Sequence, residues 1–384
     1  MPGMVERVII IGGGIGGLCT AIGLGQIGVE AIVYEQVEVL SEVGAGLTLW
    51  ANAIKALRRL GLADAVISAG SKIEHGAIRT AGGRTLSRSE PGEIERLFGE
   101  PTVAIHRADL HDILLSALPA DTARLGSKCT GFEQEADSVT VRFAGGHTDR
   151  ADLVVGADGI HSAIRRQLFP EVSLRYSGYT AWRGVVATKD EVALGVTSES
   201  WGCGSRFGIL RVDKERVYWF ATANTPAERT LTATERKSFL RQRFRGWHHP
   251  VELLLESTPA EAILQNDIYD LKPIAHWGKG RVVLLGDAAH PTTPNMGQGA
   301  CMAIESSLVL TRCLSQEAEL AGALHRYETE RMPRTAWITD QSWKIGRIGQ
   351  LQNPLACRAR NFLLSIMPAK LTRKTLERAA GYEM

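Results

Sequence analysis

The sequence predicts an α/β protein in which a parallel sheet is assembled from separated stretches of chain, with a mainly β region inserted and helices at the carboxyl end. Three observations predict it. Residues 8–11 are a β-branched run followed at once by glycines at 12, 13, 14, 16 and 17, the pattern of a strand buried on both faces that turns sharply into a helix. Residues 176–270 change texture, with runs such as 179–186 and 216–222 rich in the aromatic and β-branched residues that strands favour. From Arg331 onward the sequence reads as helical and carries ten Lys or Arg against three acids.

Composition narrows the class. At 384 residues, with 44% hydrophobic and 22% charged, the chain is an ordinary globular one, long enough for two to three units at about 150 residues each. A net charge of +2 indicates no polyanionic partner such as nucleic acid. The six cysteines (Cys19, Cys129, Cys203, Cys301, Cys313, Cys357) show no C-x-x-C and no zinc-like spacing, which suits reduced thiols in the cytoplasm and excludes a dithiol relay or a metal centre. Residues 8–29 contain no charge, yet eight glycines among them fit a strand, turn and helix better than a membrane span.

The first strand leads into Gly12-x-Gly14-x-x-Gly17, then a helix over 18–26 and a second strand over 31–34 that ends at Glu35. Gly12 permits the tight turn, Gly14 admits a pyrophosphate to the backbone, and Gly17 allows close helix–strand packing. The helix start supplies free N–H groups and a positive dipole to the phosphates. Glu35 is placed to bind ribose hydroxyls, which fits FAD or NAD rather than NADP. This is a Rossmann-like dinucleotide site.

The chain then departs from a simple dehydrogenase. A glycine-broken stretch, residues 42–50 with Gly46, precedes a helix over 52–60. A helix from 106 to 114 carries Arg107 in its first turn, where a cation opposes the dipole; a cofactor phosphate or carbonyl would satisfy it, and so would water. Residues 151–165 read as strand, turn at Asp158-Gly159, and helix. After a strand over 281–285, Asp287 is placed to bond a ribityl hydroxyl. Pro291 and Pro294 shape the loop beyond it, and Gly297-Gln298-Gly299 opens a helix over 301–314 whose dipole favours a negatively charged ring. His290 reads as a loop anchor.

In the β region, alternation puts Arg206 opposite Phe207 and Tyr218 opposite Trp219. With Arg183, these are the candidate substrate residues. A cleft-facing arginine binds an anion or carbonyl in two-pronged fashion and a tyrosine hydroxyl orients a substrate oxygen; an outward arginine and a satisfied core tyrosine are the plain alternatives.

Together the three motifs, Gly12 to Gly17, Val155-Gly-Ala-Asp-Gly-Ile-His-Ser-Ala-Ile-Arg165 and Leu285-Gly-Asp through Gly299, resemble those of the single-component FAD-dependent monooxygenases. That group contains p-hydroxybenzoate hydroxylase, urate hydroxylase, salicylate hydroxylase and zeaxanthin epoxidase. The resemblance implies a p-hydroxybenzoate-hydroxylase-like fold. Residues 1–75, 102–175 and 275–330 would form the FAD domain, 76–101 and 176–274 the substrate sheet, and 331–384 a helical segment. It extends the expected FAD contacts to Ile15, Gly16, Gln36 and Gly46, and makes Pro294 a contact of both flavin and substrate. The implied reaction is hydroxylation of an electron-rich aromatic or heteroaromatic compound by NAD(P)H and O2 through a flavin C4a-hydroperoxide. Epoxidation of an isoprenoid or quinone-type substrate is the alternative, and a silent FAD-binding protein is the rival from another class. With one G-x-G-x-x-G only, the NADH or NADPH would bind transiently. A monomer or homodimer is expected. The basic carboxyl segment either packs on the FAD domain or rests on an acidic membrane.

Overall fold

In the computed structural model, which describes residues 5–39, 45–187 and 191–383, Arg7–Ile11 lies inside a six-stranded sheet, because apolar side chains on both its faces need cover. It pairs in parallel with Glu30–Tyr34 on one side and Leu153–Gly156 on the other, Ile10 lying opposite both Val33 and Val155. Val282–Leu284 adds in parallel beyond Leu153–Gly156, and Gly278–Lys279 and Ala123–Arg124 form the edges. Three strands remote in sequence therefore release their following loops at one carboxyl edge, where open α/β sheets bind ligands.

The helix after the first strand is Ile15–Gln26, starting three residues before the expected 18. Its first turn contains Gly16 and Gly17 because only bare backbone fits there. A methyl on Gly17 would overlap the Gly12 carbonyl oxygen, and one on Gly16 would lie 2.8 Å from Leu285 Cδ2.

The inserted region forms a seven-stranded sheet in the order Leu264–Asp270, Arg175–Ala187, Arg216–Asn224, Ser205–Arg211, Val196–Trp201, His75–Thr80, Thr85–Ser89. One face carries Trp182, Phe207 and Trp219, which pack under the helices Ala233–Arg243 and Val251–Ser257. Phe207 and Trp219 stack with ring centroids 5.5 Å apart. The register then sends Arg206, Tyr218 and Phe220 to the other face.

Helix Gly299–Gln316 packs on both Ile15–Gln26 and the 30-residue helix Leu320–Gly349. The latter runs unbroken through residue 331, so no structural boundary lies at the expected start of the carboxyl segment. Helices Pro354–Ile366 and Ala369–Ala380 follow. Among the described residues no helix is long and apolar enough to cross a membrane.

Candidate active site

The first loop is held from several sides. Gly12 has φ +109° and donates its N–H to the Tyr34 carbonyl (2.8 Å), and a methyl there would overlap the Ala157 carbonyl and lie 2.9 Å from the Asp158 Cα. Glu35 accepts the Gly13 N–H at 2.8 Å through one oxygen and the Val37 N–H at 3.1 Å through the other. His111 donates from Nε2 to the Gly13 carbonyl at 2.6 Å. Gly14 is different: a Cβ there would meet no atom of the described residues within 4 Å. The turn is thus tightly built with open space beside Gly14, and no side chain caps the helix that begins at Ile15. Gln36 lies exposed just beyond Glu35. Gly46 opens the strand Gly46–Leu49, while residues 42–44 of the glycine-broken stretch lie outside the described residues.

The second and third loops meet the first. Asp158 Oδ2 accepts the Ala163 and Ile164 N–H groups at 2.7 and 3.2 Å, capping helix Ala163–Leu168, while Oδ1 is buried without a partner. Gly159 turns the chain with φ +74°. Arg165 donates to the carbonyls of Asp287 (3.3 Å) and Ala288 (2.8 Å), tying the two loops together. The Asp287 side chain remains open to solvent although protein atoms surround it densely. That crowding pushes its carboxyl above the usual carboxylate range, and the charges of Arg107 and Arg165 pull it down. Arg107 is exposed too, and its guanidinium has no hydrogen bond or ion pair within the described residues. Pro294 and Gly297 are exposed beside them, Gly297 with φ +64°.

Helix Gly299–Gln316 starts at Gln298 with no side-chain cap. Gln298 is buried: its Oε1 accepts from Asn52 Nδ2 at 3.0 Å and its Nε2 has no partner. Asn52 also donates to Glu305 Oε1 at 2.5 Å. Glu305, fully buried, is ion-paired to Arg331 at 2.6 Å and Arg334 at 3.1 Å. Burial alone would push the Glu305 carboxyl up, but the two arginines hold it below its ordinary value. Sequence reading missed this cluster. The available signal was an acid inside the apolar run Cys301-Met-Ala-Ile-Glu305, where charge is rarely buried unpaired.

His290 is a buried anchor: Nε2 lies 3.1 Å from Ser306 Oγ, and the ring packs on Trp277. Burial, with help from Arg331, lowers its pKa from 6.5 to about 3. On acidification the unfolded chain takes up this proton before the folded one does. Stability should therefore hold above pH 6.5 and fall by up to about 1.4 kcal/mol per pH unit between 6.5 and 3. Urea unfolding at a series of pH values should show that slope, shallower in His290→Gln; an identical slope in the variant would refute it.

On the sheet face opposite the helices, Arg206 is buried and bonded through each of its three nitrogens. It donates to Gln350 Oε1 (3.2 Å), Glu199 Oε1 (3.0 Å) and Asn295 Oδ1 (2.6 Å), joining the sheet to the third loop and the end of the long helix. It is not the free cleft arginine that strand alternation allowed, since alternation gives the face and says nothing of Asn295 and Gln350 from elsewhere in the chain. Tyr218 packs on Gly46, where a Cβ would come 2.6 Å from its ring. Burial pushes the Tyr218 hydroxyl up and nearby Arg183 draws it down. Arg183 is partly exposed and donates to Asn266 Oδ1 at 2.9 Å. Phe220 lies across Gly208 beside Tyr218.

A family model described as FAD binding domain matches residues 6–342. The chain belongs to this family. It is 46% identical over 360 residues to the aurachin C monooxygenase/isomerase of Stigmatella aurantiaca, covering 94% of each chain. It is 33% identical over 378 residues to the 2-heptyl-3-hydroxy-4(1H)-quinolone synthase of Pseudomonas aeruginosa, covering 97% of each. The structure of Klebsiella pneumoniae HpxO complexed with FAD and uric acid superposes with a TM-score of 0.91 at 29% identity, covering 97% of this chain and 96% of that one. The protein is an FAD-dependent monooxygenase. The residues present fit FAD: a glycine turn with open space at Gly14, the exposed pair Arg107 and Asp287, the spare Gln298 Nε2, and two uncapped helix starts.

Proposed function

We propose that the enzyme hydroxylates a neutral, bicyclic heteroaromatic ring that carries an apolar chain, a compound of the quinolone type. The reaction would consume O2 and NAD(P)H: one oxygen atom enters the ring, the other leaves as water, and the nicotinamide is oxidised. The carrying observation is that Arg206 is buried and already spends its charge and three of its five N–H donors on the protein. Its charge is balanced by Glu199 and its N–H groups are held by Asn295 and Gln350, which leaves Tyr218, Phe220 and the partly exposed Arg183 to meet substrate. Such a wall suits a flat uncharged ring better than an anion. The name of one of the two relatives above, a 2-heptyl-3-hydroxy-4(1H)-quinolone synthase, points the same way.

Bound FAD supplies hydride acceptance from the nicotinamide and the activation of oxygen. The chain does the rest. The N–H groups of residues 15–17 would hold the pyrophosphate, with Gly12 and Gly17 keeping them in place, and Glu35 and Gln36 would serve the adenosine side. Asp287 takes a ribityl hydroxyl, and Arg107 and Asp158-Gly159 line the same groove. Backbone at Gly297 to Gly299 would hold the flavin ring, and the positive dipole end of the helix that follows would favour negative charge there. Pro294, Gly46 and the Tyr218 ring bound the space between flavin and sheet. Arg206 acts as a positioning residue, and the Tyr218 hydroxyl, with Arg183 nearby, orients the substrate's ring oxygen.

Tyr218→Phe should lower kcat/KM by about tenfold to a hundredfold, equivalent to roughly 1.4–2.7 kcal/mol, with FAD content unchanged. Normal kcat/KM would remove the hydroxyl from the mechanism. The function itself is tested by following NAD(P)H oxidation by the FAD-loaded enzyme with 4-quinolones of increasing alkyl length and with urate, and checking products for one added oxygen. Turnover of urate with no response to any quinolone would overturn the assignment.

A further inference from the structure

Helix Pro354–Ile366 presents its apolar side to the outside. It is anchored through Cys357 and Arg360, both buried, and Arg360 donates to the carbonyls of Gly349 (3.1 Å) and Gly202 (3.0 Å). The opposite side carries Leu355, Phe362, Leu363 and Ile366, which are 71, 62, 58 and 59% exposed. At 3.6 residues per turn these four fall on one stripe. A surface helix ordinarily turns such a stripe inward; this one leaves it bare.

Charge identifies what covers it. Between Gln341 and Leu376 the sequence has seven Lys or Arg and no acid. Exposed Arg358 lies on the same helix, and exposed Lys344 and Arg347 precede it on the last turns of Leu320–Gly349. Ile348, also exposed, extends the apolar surface there. One exposed acid, Asp340, stands a turn before Lys344, Arg360 is buried and Arg373 is paired with Glu93 and Glu377. Lys344, Arg347 and Arg358 are therefore the cations that border the stripe. A bare apolar stripe with a cation-rich border is the composition of a helix that lies in the interface of an anionic bilayer. Self-association through this face would bring the two copies' unbalanced cations together, because a two-fold contact sets each patch against itself.

We propose that helix Pro354–Ile366 docks the enzyme on an anionic lipid surface, its apolar stripe among the acyl chains and its cations at the headgroups. The helix is bound to Gly202 in the loop between two strands of the substrate sheet, so docking sets that sheet against the bilayer. This does not rest on the substrate proposed above.

The test is flotation of the full-length, FAD-loaded protein with phosphatidylcholine vesicles and with vesicles containing 30 mol% (about one lipid in three) phosphatidylglycerol, at low and high salt. The expected result is at least about tenfold stronger partition to the anionic vesicles, weakened by salt. Phe362→Glu and Arg358→Glu should each lower it severalfold while FAD content and solution turnover stay normal. Equal recovery with and without anionic lipid would overturn the proposal. So would light scattering that shows a dimer dissociated by Phe362→Glu, since a second copy would then cover the stripe.

Discussion

Replacing Gly14 with alanine is expected to leave thermal unfolding of the apoprotein unchanged while weakening FAD binding by about a hundredfold, roughly 2.7 kcal/mol. The reasoning rests on the contrast between two glycines of one turn. Gly14 has φ −74° and ψ 179°, a conformation alanine adopts freely, and its added methyl meets no atom of the described residues. The free chain should tolerate it: alanine is the poorer helix cap by about 1 kcal/mol, and the entropy it removes from the unfolded chain offsets about 0.4–1 kcal/mol of that. The space it enters is the one proposed above for the pyrophosphate. Gly12→Ala differs in kind: φ is +109° and the methyl collides with the Ala157 carbonyl, so both fold and cofactor should suffer. Differential scanning of apoprotein, paired with titration by FAD, separates the two. A Gly14→Ala protein that binds FAD with unaltered affinity would remove the pyrophosphate from this turn.

The second large effect is expected at Glu305. Glu305→Gln leaves Arg331, which is fully buried, and Arg334, nearly so, without their counter-charge. Breaking such a buried pair costs about 3–5 kcal/mol, which should lower Tm by on the order of 5–10 °C. Because the carboxyl's folded pKa is depressed, its contribution is present above the ordinary glutamate range and is lost as pH falls through the lowered value. The deficit of the variant should therefore be largest near neutrality and shrink in acid. A Tm within about 1 °C of wild type at pH 7 would show that the cluster carries little of the stability. Exchanging the charged acceptor of Asn52 for an amide oxygen weakens that hydrogen bond and should also loosen Gln298, so a shifted flavin absorption band is expected in the same variant.

The fold was legible in the sequence because its key contacts are between backbones and carry local signatures. Gly12 and Gly17 stand where a side chain would strike a carbonyl, and the β-branched runs at 8–11 and 282–284 need cover on both faces. Strand alternation likewise separated Arg206 from Phe207 and Tyr218 from Trp219, and the cross-strand register then groups Phe207 with Trp219. What stayed hidden were partnerships set by tertiary packing. Nothing near Arg206 foretells Gln350, 144 positions away. Asp158 caps the helix that follows it, a use that its motif does not display. The start of the glycine-loop helix was misread by three residues because glycine scores poorly in helices, whereas here close packing requires it.

The order of strands has a consequence for how the protein is made. Leu153–Gly156 pairs with Arg7–Ile11 on one side and waits for Val282–Leu284 on the other, and the helix covering this region ends only at Gln316. On a ribosome adding roughly 5–20 residues per second, the amino-terminal turn emerges some 15–60 s before that helix does. Through that interval the nascent sheet has an open, apolar edge of the kind that recruits foreign strands. No fragment ending before the third loop should capture cofactor, and recombinant yield should depend on shielding that edge until synthesis is nearly complete.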